Sequence, residues 1–158
     1  MEAIFRPKDR FCFLVGSGIS CDPPSSLPTG YELMKALVEQ LIPKTKQSEI
    51  LALMNPEREG TEISGNFLCF EQFMQYLKGW DPDLRVLDIY MEYTEPNFNH
   101  QFLAQMLLEK HPIFTTNFDN LIESVLLNAG VPQSNIHPVI HREDWETSPD
   151  PKYYYVYK

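Results

Sequence analysis

The segment Phe11-Cys-Phe-Leu-Val-Gly16-Ser-Gly18-Ile-Ser20 joins an apolar run to a Gly-x-Gly turn. Its five apolar residues, Phe11 to Val15, predict a strand buried on both faces, as found in parallel sheets. Gly16 and Gly18 allow a tight turn and a close approach of the backbone to a ligand. If a helix follows, its N-terminal N–H groups favour an anion such as a phosphate at this turn. The alternative is a strand-to-helix turn that holds no ligand.

The dinucleotide-binding fingerprint of dehydrogenases is incomplete in this segment. Its third glycine would fall at position 21, which is Cys21. A second strand ending in an acidic residue, about 20 residues further on, is also missing. The chain there reads Ile42-Pro-Lys-Thr-Lys-Gln-Ser48, which cannot be a buried strand. Hydride transfer is therefore disfavoured.

Length and composition predict one globular domain over residues 1–158, with a helical insertion at about 43–95. Hydrophobic residues make up 43% of the 158 residues. No apolar run approaches the roughly 20 residues that a membrane helix needs, and no signal peptide is visible. We expect a soluble cytoplasmic protein that does not bind a membrane.

The net charge of −9 argues against direct binding of nucleic acid, whose phosphates are bound mainly by Lys and Arg. Cys12, Cys21 and Cys69 are too few and too dispersed for a Cys-x-x-Cys zinc site. We therefore expect no bound zinc.

Between the first turn and residue 110, apolar spacing predicts a series of helices. The stretch from Cys21 to Gly30 is a loop and a candidate lid. Helices are predicted around Met34–Leu41, Glu49–Met54, Phe70–Leu77 and Asp83–Tyr93, and after Asn97, the last with Phe102, Leu103, Met106 and Leu107 buried. His100 at the start of that helix is more often a structural group than a base.

A second strand-turn-helix unit follows. Pro112–Thr116 is predicted to be a strand, Asn117-Phe-Asp119-Asn120 a polar turn, and Leu121–Ala129 an amphipathic helix. The turn lies where open α/β sheets bind ligands, at the carboxyl end of a strand. Alternatively, Thr116-x-x-Asp119 is a capping box, and Asn117 or Asn120 merely caps the helix.

Two further strands complete the expected sheet, a short one at Val139–Ile140 and an aromatic one at Tyr153–Tyr157. We expect an α/β fold with a Rossmann-like parallel sheet and flanking helices, truncated after the third or fourth strand. An exposed aromatic edge strand at Tyr153–Tyr157 would pair readily with another copy of the chain and so favour a homo-oligomer. The sequence stops inside this strand, as a piece of a longer protein with a downstream domain would.

These segments, in this order, resemble the sirtuin-like family of NAD-consuming proteins, in particular the bacterial branch that hydrolyses NAD in defence against phage. Gly16-Ser-Gly18-Ile-Ser20 is similar to the family's Gly-Ala-Gly-Ile-Ser turn. Leu27-Pro28-Thr29 is similar to the Gly-Ile-Pro of its cofactor loop. Thr116-Asn117-Phe-Asp119-Asn-Leu121 is similar to the bacterial variant Thr-Thr-Asn-Tyr-Asp-Asn-Leu, and Asn99-His100 with Leu103 also fits that branch.

The resemblance implies a site for NAD, as substrate, or for ADP-ribose. The adenine half and the phosphates would lie over Gly16, Ser17, Gly18, Ile19 and Ser20, with Leu27 and Pro28 in the cofactor loop. The nicotinamide riboside end would point to Thr116, Asn117 and Asp119. Asn117 and Asp119 would be the catalytic residues, since an amide can orient a ribose hydroxyl or a water and a carboxylate can stabilise a developing cation.

Departures from the family pattern leave three classes of function open. The zinc cysteines of deacetylating sirtuins are absent, and Thr29-Gly30 stands where those enzymes have Phe-Arg. This favours an NAD glycohydrolase over a protein deacetylase or ADP-ribosyltransferase. The family's catalytic His-Gly pair would begin just beyond Lys158, so residues 1–158 alone are expected to be nearly inactive. A nucleotide-sensing module without turnover is the third class.

Overall fold

Four short strands form one all-parallel sheet in the order β1-β2-β4-β3. The computed structural model describes residues 11–54, 68–92, 95–140, 144 and 150–158. The strands are β1 (Phe13–Val15), β2 (Ile113–Thr115), β3 (Ile136–Val139) and β4 (Tyr154–Tyr157).

Six α-helices accompany the sheet among the described residues. They are α1 (Gly30–Leu41), α2 (Lys44–Met54), α3 (Phe70–Leu77), α4 (Asp88–Glu92), α5 (Phe98–Leu108) and α6 (Leu121–Asn128). Short 3₁₀ turns lie at Ser17–Ser20, Arg85–Leu87 and Gln133–Asn135. The expected α/β class with a parallel sheet and flanking helices, consistent with a Rossmann-like fold, is confirmed.

The chain forms two compact units. The first comprises Met1–Leu27 and Ile89–Lys158 and contains the sheet with α5 and α6; the second comprises Pro28–Asp88 and contains α1, α2 and α3. The helical insertion predicted at about 43–95 belongs to this second unit up to Asp88, and its remaining residues belong to the first unit. The core of the second unit is formed by Met34, Val38 and Met54.

The core of the first unit lies between one face of the sheet and the two helices α5 and α6. Ile113, Ile136 and Val156 come from three neighbouring strands, and they meet apolar side chains of both helices, among them Leu103 and Leu126. All five are buried. The alternation of side chains along each strand directs this set to a single face.

The prediction that the first strand is buried on both faces is wrong. Leu14 is 79% exposed, whereas Phe13 and Val15 pack against the core. The strand pairs with β2 and is the last strand on its side of the described sheet. An uninterrupted apolar run therefore does not show whether a strand is buried on one face or on both.

Two predictions about the last strands also need correction. The third strand is Ile136–Val139, not Val139–Ile140, and Ile140 is exposed beyond its end. The aromatic strand β4 lies between β2 and β3, so it is not an edge strand open to another copy. Most residues of the segment 142–152, which connects the last two strands, lie outside the described residues.

The strongly periodic helices are confirmed at α1, α3, α5 and α6, and α2 is longer than the predicted Glu49–Met54. The helix predicted over Asp83–Tyr93 is wrong at its start. Leu84 has a left-handed backbone (φ 49°), so the chain first makes a 3₁₀ turn and α4 begins only at Asp88. Tyr93 lies outside the described residues. Phe102 was expected in the core but is 43% exposed.

Candidate functional site

The two polar turns singled out in the sequence lie side by side. Val15 and Thr115 are partners in the β1–β2 register, and the Thr116 amide donates to the Val15 carbonyl at 3.1 Å. A Cβ atom added at Gly16 would lie 3.4 Å from Thr116 Oγ1. Parallel pairing of adjacent strands thus brings both turns to the same edge of the sheet.

A buried polar cluster of four side chains lies just beyond this edge. It consists of Ser20, His100, Asn117 and Asp119, none of which is more than 7% exposed. The Ser20 hydroxyl is its centre: it donates to Asp119 Oδ2 at 2.8 Å and lies 3.1 Å from His100 Nε2. Asn117 Nδ2 donates to the same hydroxyl oxygen at 3.1 Å.

The tautomer of His100 follows from its partners. The backbone N–H of Asn97 donates to His100 Nδ1 at 3.1 Å. In the neutral ring the proton is therefore on Nε2, which donates it to the Ser20 hydroxyl. Burial lowers the pKa of His100, and the nearby Asp119 charge raises it by less. The ring is therefore held neutral, as a donor to Ser20.

Asn117 has one amide atom engaged and one without a partner. Its Nδ2 donates to Ser20 Oγ and, at 3.2 Å, to Asp119 Oδ2. Its Oδ1 is buried and has no hydrogen-bond partner among the described residues. A flipped amide would place Oδ1 against the Asp119 carboxylate, so the network fixes the orientation. The orphan atom is an acceptor available to a ligand hydroxyl or a water.

Asp119 is a buried carboxylate held by neutral groups. Oδ1 accepts from the Leu121 amide at 3.1 Å, and Oδ2 accepts from Ser20 and Asn117. None of the ion pairs between described residues involves Asp119. Its negative charge is solvated by hydrogen-bond donors but not neutralised by a cation, which is unusual for a buried acid.

The loop that follows the first turn is fastened to the start of α5. Asn97, the N-cap of that helix, donates through Nδ2 to the carbonyls of Ile19 at 2.8 Å and Asp22 at 3.0 Å. Asn99 Nδ2 donates to the same Ile19 carbonyl at 3.2 Å. Ser25 Oγ donates to the Glu95 carbonyl at 2.8 Å. Ser20 is thereby fixed opposite His100.

The helix expected after the Gly-x-Gly turn is only a four-residue 3₁₀ turn, Ser17–Ser20. Such a short element has little of the macrodipole that would favour an anion at a longer helix. Gly18 nevertheless is exposed, and a Cβ atom there would meet nothing within 4 Å. The space beside Gly18 is therefore open to a ligand.

The other residues predicted at the site have mixed placements. Leu27 is buried and its amide donates to the Ser20 carbonyl at 2.9 Å, while Pro28 belongs to the second unit. Ile19 packs on the core, and the Ser17 carbonyl accepts from Cys21 Sγ at 3.4 Å. Thr116 is exposed at the shared edge. Of the predicted set, the structure joins Ser20, Asn117 and Asp119 by hydrogen bonds between their side chains.

The capping interpretation of the second turn is wrong for Asn117. The N-cap of α6 is Asn120, which makes no side-chain capping bond, and the Asn117 amide side chain points to Ser20 and Asp119. Thr116 is not at a capping position either, so the predicted Thr116-x-x-Asp119 box does not form.

The sequence predicted a helix start at Asn97 and a structural role for His100, but not the bond between them or the contact of His100 with Ser20. The two residues form a capping box in which the His100 side chain accepts from the Asn97 amide. The usual signature has Glu or Gln at that position, so a pattern search passes over histidine. Asn97 itself was the available signal, because asparagine is among the preferred N-cap residues.

Within the described ranges, no group of three or more His, Cys, Asp or Glu residues is arranged to hold a metal ion. No described helix combines the length and the apolar character required to cross a bilayer.

Fold and site together define an α/β protein with a buried Ser-His-Asn-Asp cluster at the carboxyl edge of a parallel sheet. No family model matches the chain, and no curated protein or solved structure matches it. The likeness to the sirtuin-like family thus rests on the residues quoted above.

Proposed function

We propose that the chain is a sirtuin-like NAD-binding domain and that the protein at its natural length hydrolyses the nicotinamide–ribose bond of NAD, as a cytoplasmic protein of antiphage defence. Two neighbouring features of the described residues carry the proposal: the buried Asp119 carboxylate forms no ion pair there, and the buried acceptor Asn117 Oδ1 has no hydrogen-bond partner there. The Asp119 carboxylate can stabilise a developing cation, and Asn117 Oδ1 can accept a hydrogen bond from a hydroxyl. A nicotinamide riboside has ribose hydroxyls and develops positive charge on the ribose when nicotinamide leaves.

The reaction would begin with cleavage of the bond between ribose C1′ and the nicotinamide nitrogen. The bonding electron pair goes to the nitrogen, which leaves as neutral nicotinamide, and positive charge develops on the ribose. Asp119 stabilises that charge from a low-dielectric site in which charges interact strongly. Water then adds to C1′ and releases its proton to solvent, which gives ADP-ribose.

Orientation of the substrate would come from the two turns. Asn117 Oδ1 would accept from a ribose hydroxyl or from the attacking water, and Ser20 and His100 would keep the amide and the carboxylate in place. The adenine half and the phosphates would lie towards Gly16–Ser20, where the open side of Gly18 allows close approach of a ligand.

A nucleotide-sensing module without turnover is the second candidate. It is favoured by the state of His100, whose Nδ1 accepts from the Asn97 amide and whose Nε2 bonds to Ser20. This ring therefore has no nitrogen available to act as a base in the network. Tight binding of NAD with no product would identify this class.

The test is release of nicotinamide from NAD by the protein at its natural length, followed by chromatography. We expect nicotinamide and ADP-ribose in equal amounts, and turnover at least about 100-fold lower for Asn117→Ala, because the substrate is no longer oriented. The same variant should lose about 1–3 kcal/mol of stability, since two hydrogen bonds to buried partners disappear.

Asn128→Ala is the matched control, because Asn128 is an exposed asparagine at the far end of α6. It should keep the turnover of the wild type. If Asn117→Ala also kept full turnover and changed only the melt, the proposed role of Asn117 would be wrong. Transfer of ADP-ribose to an acceptor instead of water would indicate a transferase.

A further inference from the structure

Lys158 has a buried ammonium group surrounded by three oxygen atoms of the second turn and of α6. Its Nζ donates to the Asp119 carbonyl at 2.6 Å and to Asn120 Oδ1 at 2.8 Å. It also forms an ion pair with Glu123 Oε1 at 2.8 Å, in which the side chains are only 10% and 11% exposed. Two of these oxygens accept hydrogen bonds from the ammonium, whereas the contact with Glu123 Oε1 is an ion pair without hydrogen-bond geometry.

The backbone of Lys158 is fixed independently of its side chain. The residue follows β4, which is paired on both sides, and its amide donates to the Val139 carbonyl at 2.8 Å. The ammonium thus links the interior of the sheet to the turn that carries Asp119. One of its bonds is made to the main chain of Asp119 itself, next to the carboxylate that meets Ser20 and Asn117.

The charges of this region are divided between two acids. Glu123 pairs with Lys158, whereas the Asp119 carboxylate is held by Ser20, Asn117 and the Leu121 amide, all neutral donors. Lys158 can therefore hold the backbone of Asp119 while its positive charge is neutralised by Glu123.

We propose that Lys158 is a positioning residue for Asp119, because it fixes the main chain from which the Asp119 carboxylate reaches the polar cluster. Glu123 neutralises the Lys158 ammonium, so the negative charge of Asp119 remains available to stabilise a developing cation. This inference rests on the proposed NAD chemistry for its effect on turnover. It assigns Lys158 no contact with substrate, because its ammonium group is already engaged by protein oxygens.

If the Lys158–Glu123 ion pair contributed only to stability, two apolar residues could replace it without loss of turnover. Apolar residues of similar size often substitute for such a pair without loss of stability, whereas removal of one partner leaves an unpaired buried charge. Lys158→Met combined with Glu123→Leu removes both charges and also the bonds to the Asp119 carbonyl and Asn120. Single Lys158→Met should lower the melting temperature, and the double variant should recover most of that loss.

Turnover should not recover with the melting temperature. We expect kcat of the double variant to stay about 10- to 100-fold below that of the wild type with KM little changed, because a small displacement of a catalytic group is costly. Hydrogen exchange gives a readout that does not need activity: the Asn117 and Leu121 amides, bonded to Thr115 Oγ1 and Asp119 Oδ1, should exchange faster. Amides of α5 should be unaffected.

Wild-type kcat together with wild-type exchange in the double variant would overturn the inference. So would a raised KM with unchanged kcat, which would place Lys158 on the substrate. If the wild-type protein does not cleave NAD, the proposed function fails, and the exchange rates alone still decide whether Lys158 holds the turn. Should the apolar pair not fold, Lys158→Met with Glu123→Gln also removes both charges and the donor to the Asp119 carbonyl while it keeps a polar side chain at position 123, with the same expectations.

Discussion

At the scale of single residues, the site depends on how each hydrogen-bonding atom is used. Ser20 Oγ accepts from His100 and Asn117 and donates to Asp119, so a hydroxyl with one proton and two lone pairs is fully engaged. His100 can keep both of its hydrogen bonds only while Nδ1 carries no proton, since Nδ1 accepts from the backbone N–H of Asn97. Protonation of the ring would break the capping box.

This dependence predicts a loss of stability on mild acidification. Burial lowers the pKa of His100 below its usual 6.5, with a smaller opposing effect of Asp119. The unfolded chain therefore takes up the proton first, so the contribution of His100 is complete above about pH 6.5 and falls as the pH drops below it. His100→Gln keeps a donor for Ser20 but cannot titrate.

Urea unfolding at about pH 7.5 and about pH 5.5 measures the effect. The wild type should lose more stability between the two pH values than His100→Gln does. Equal losses would show that the ring does not titrate with unfolding in this range.

At the scale of elements, the start of α5 organises the site as much as the strands do. Asn97 caps this helix through Oδ1 and fastens the loop after β1 through Nδ2. The sequence predicts a candidate lid at Cys21–Gly30, yet this loop is tied to the start of α5 through the Asp22 carbonyl and the Ser25 hydroxyl. Helix, loop and Ser20 therefore form one connected element.

Asn97→Ala should lower the free energy of unfolding by about 2–3 kcal/mol, because it removes a helix cap and two bonds to loop carbonyls. Asn99→Ala is the matched comparison. Asn99 donates to the same Ile19 carbonyl but is less buried, so its removal should cost less than about 1 kcal/mol. Urea unfolding of both variants gives the values, and equal losses would contradict the special position of Asn97.

At the scale of the whole molecule, the sequence predicted what local patterns determine. Apolar periodicity placed α1, α3 and α6, and the runs before the two turns gave β1 and β2. The sequence pattern did not predict where α4 begins, because the left-handed backbone of Leu84 sets that position. It also could not show which apolar strand positions face a core, as Leu14 demonstrates.

The candidate site was predictable only in part, for the same reason. Asn117 and Asp119 could be selected because they follow a strand, and Ser20 could be selected from the resemblance to the sirtuin-like family. Parallel pairing then brings the two turns together. The contact of Ser20 with Asp119, 99 residues apart, and the approach of His100 depend on the packing of α5, which no local pattern specifies. Lys158 reaches the turn only because β4 lies beside β2.

Binding of ADP-ribose is the most direct test of the proposed NAD site. The protein at its natural length should be stabilised by about 2.7 kcal/mol at a ligand concentration 100 times the dissociation constant. Gly18→Ala should melt like the wild type without ligand, because its Cβ would enter open space, but should lose the stabilisation since that space is where the ligand approaches. Thermal melts with NAD, ADP-ribose and ATP measure both quantities. Stabilisation of the wild type by NAD and ADP-ribose that Gly18→Ala abolishes is the predicted result; no stabilisation of the folded wild type by either ligand would contradict the site.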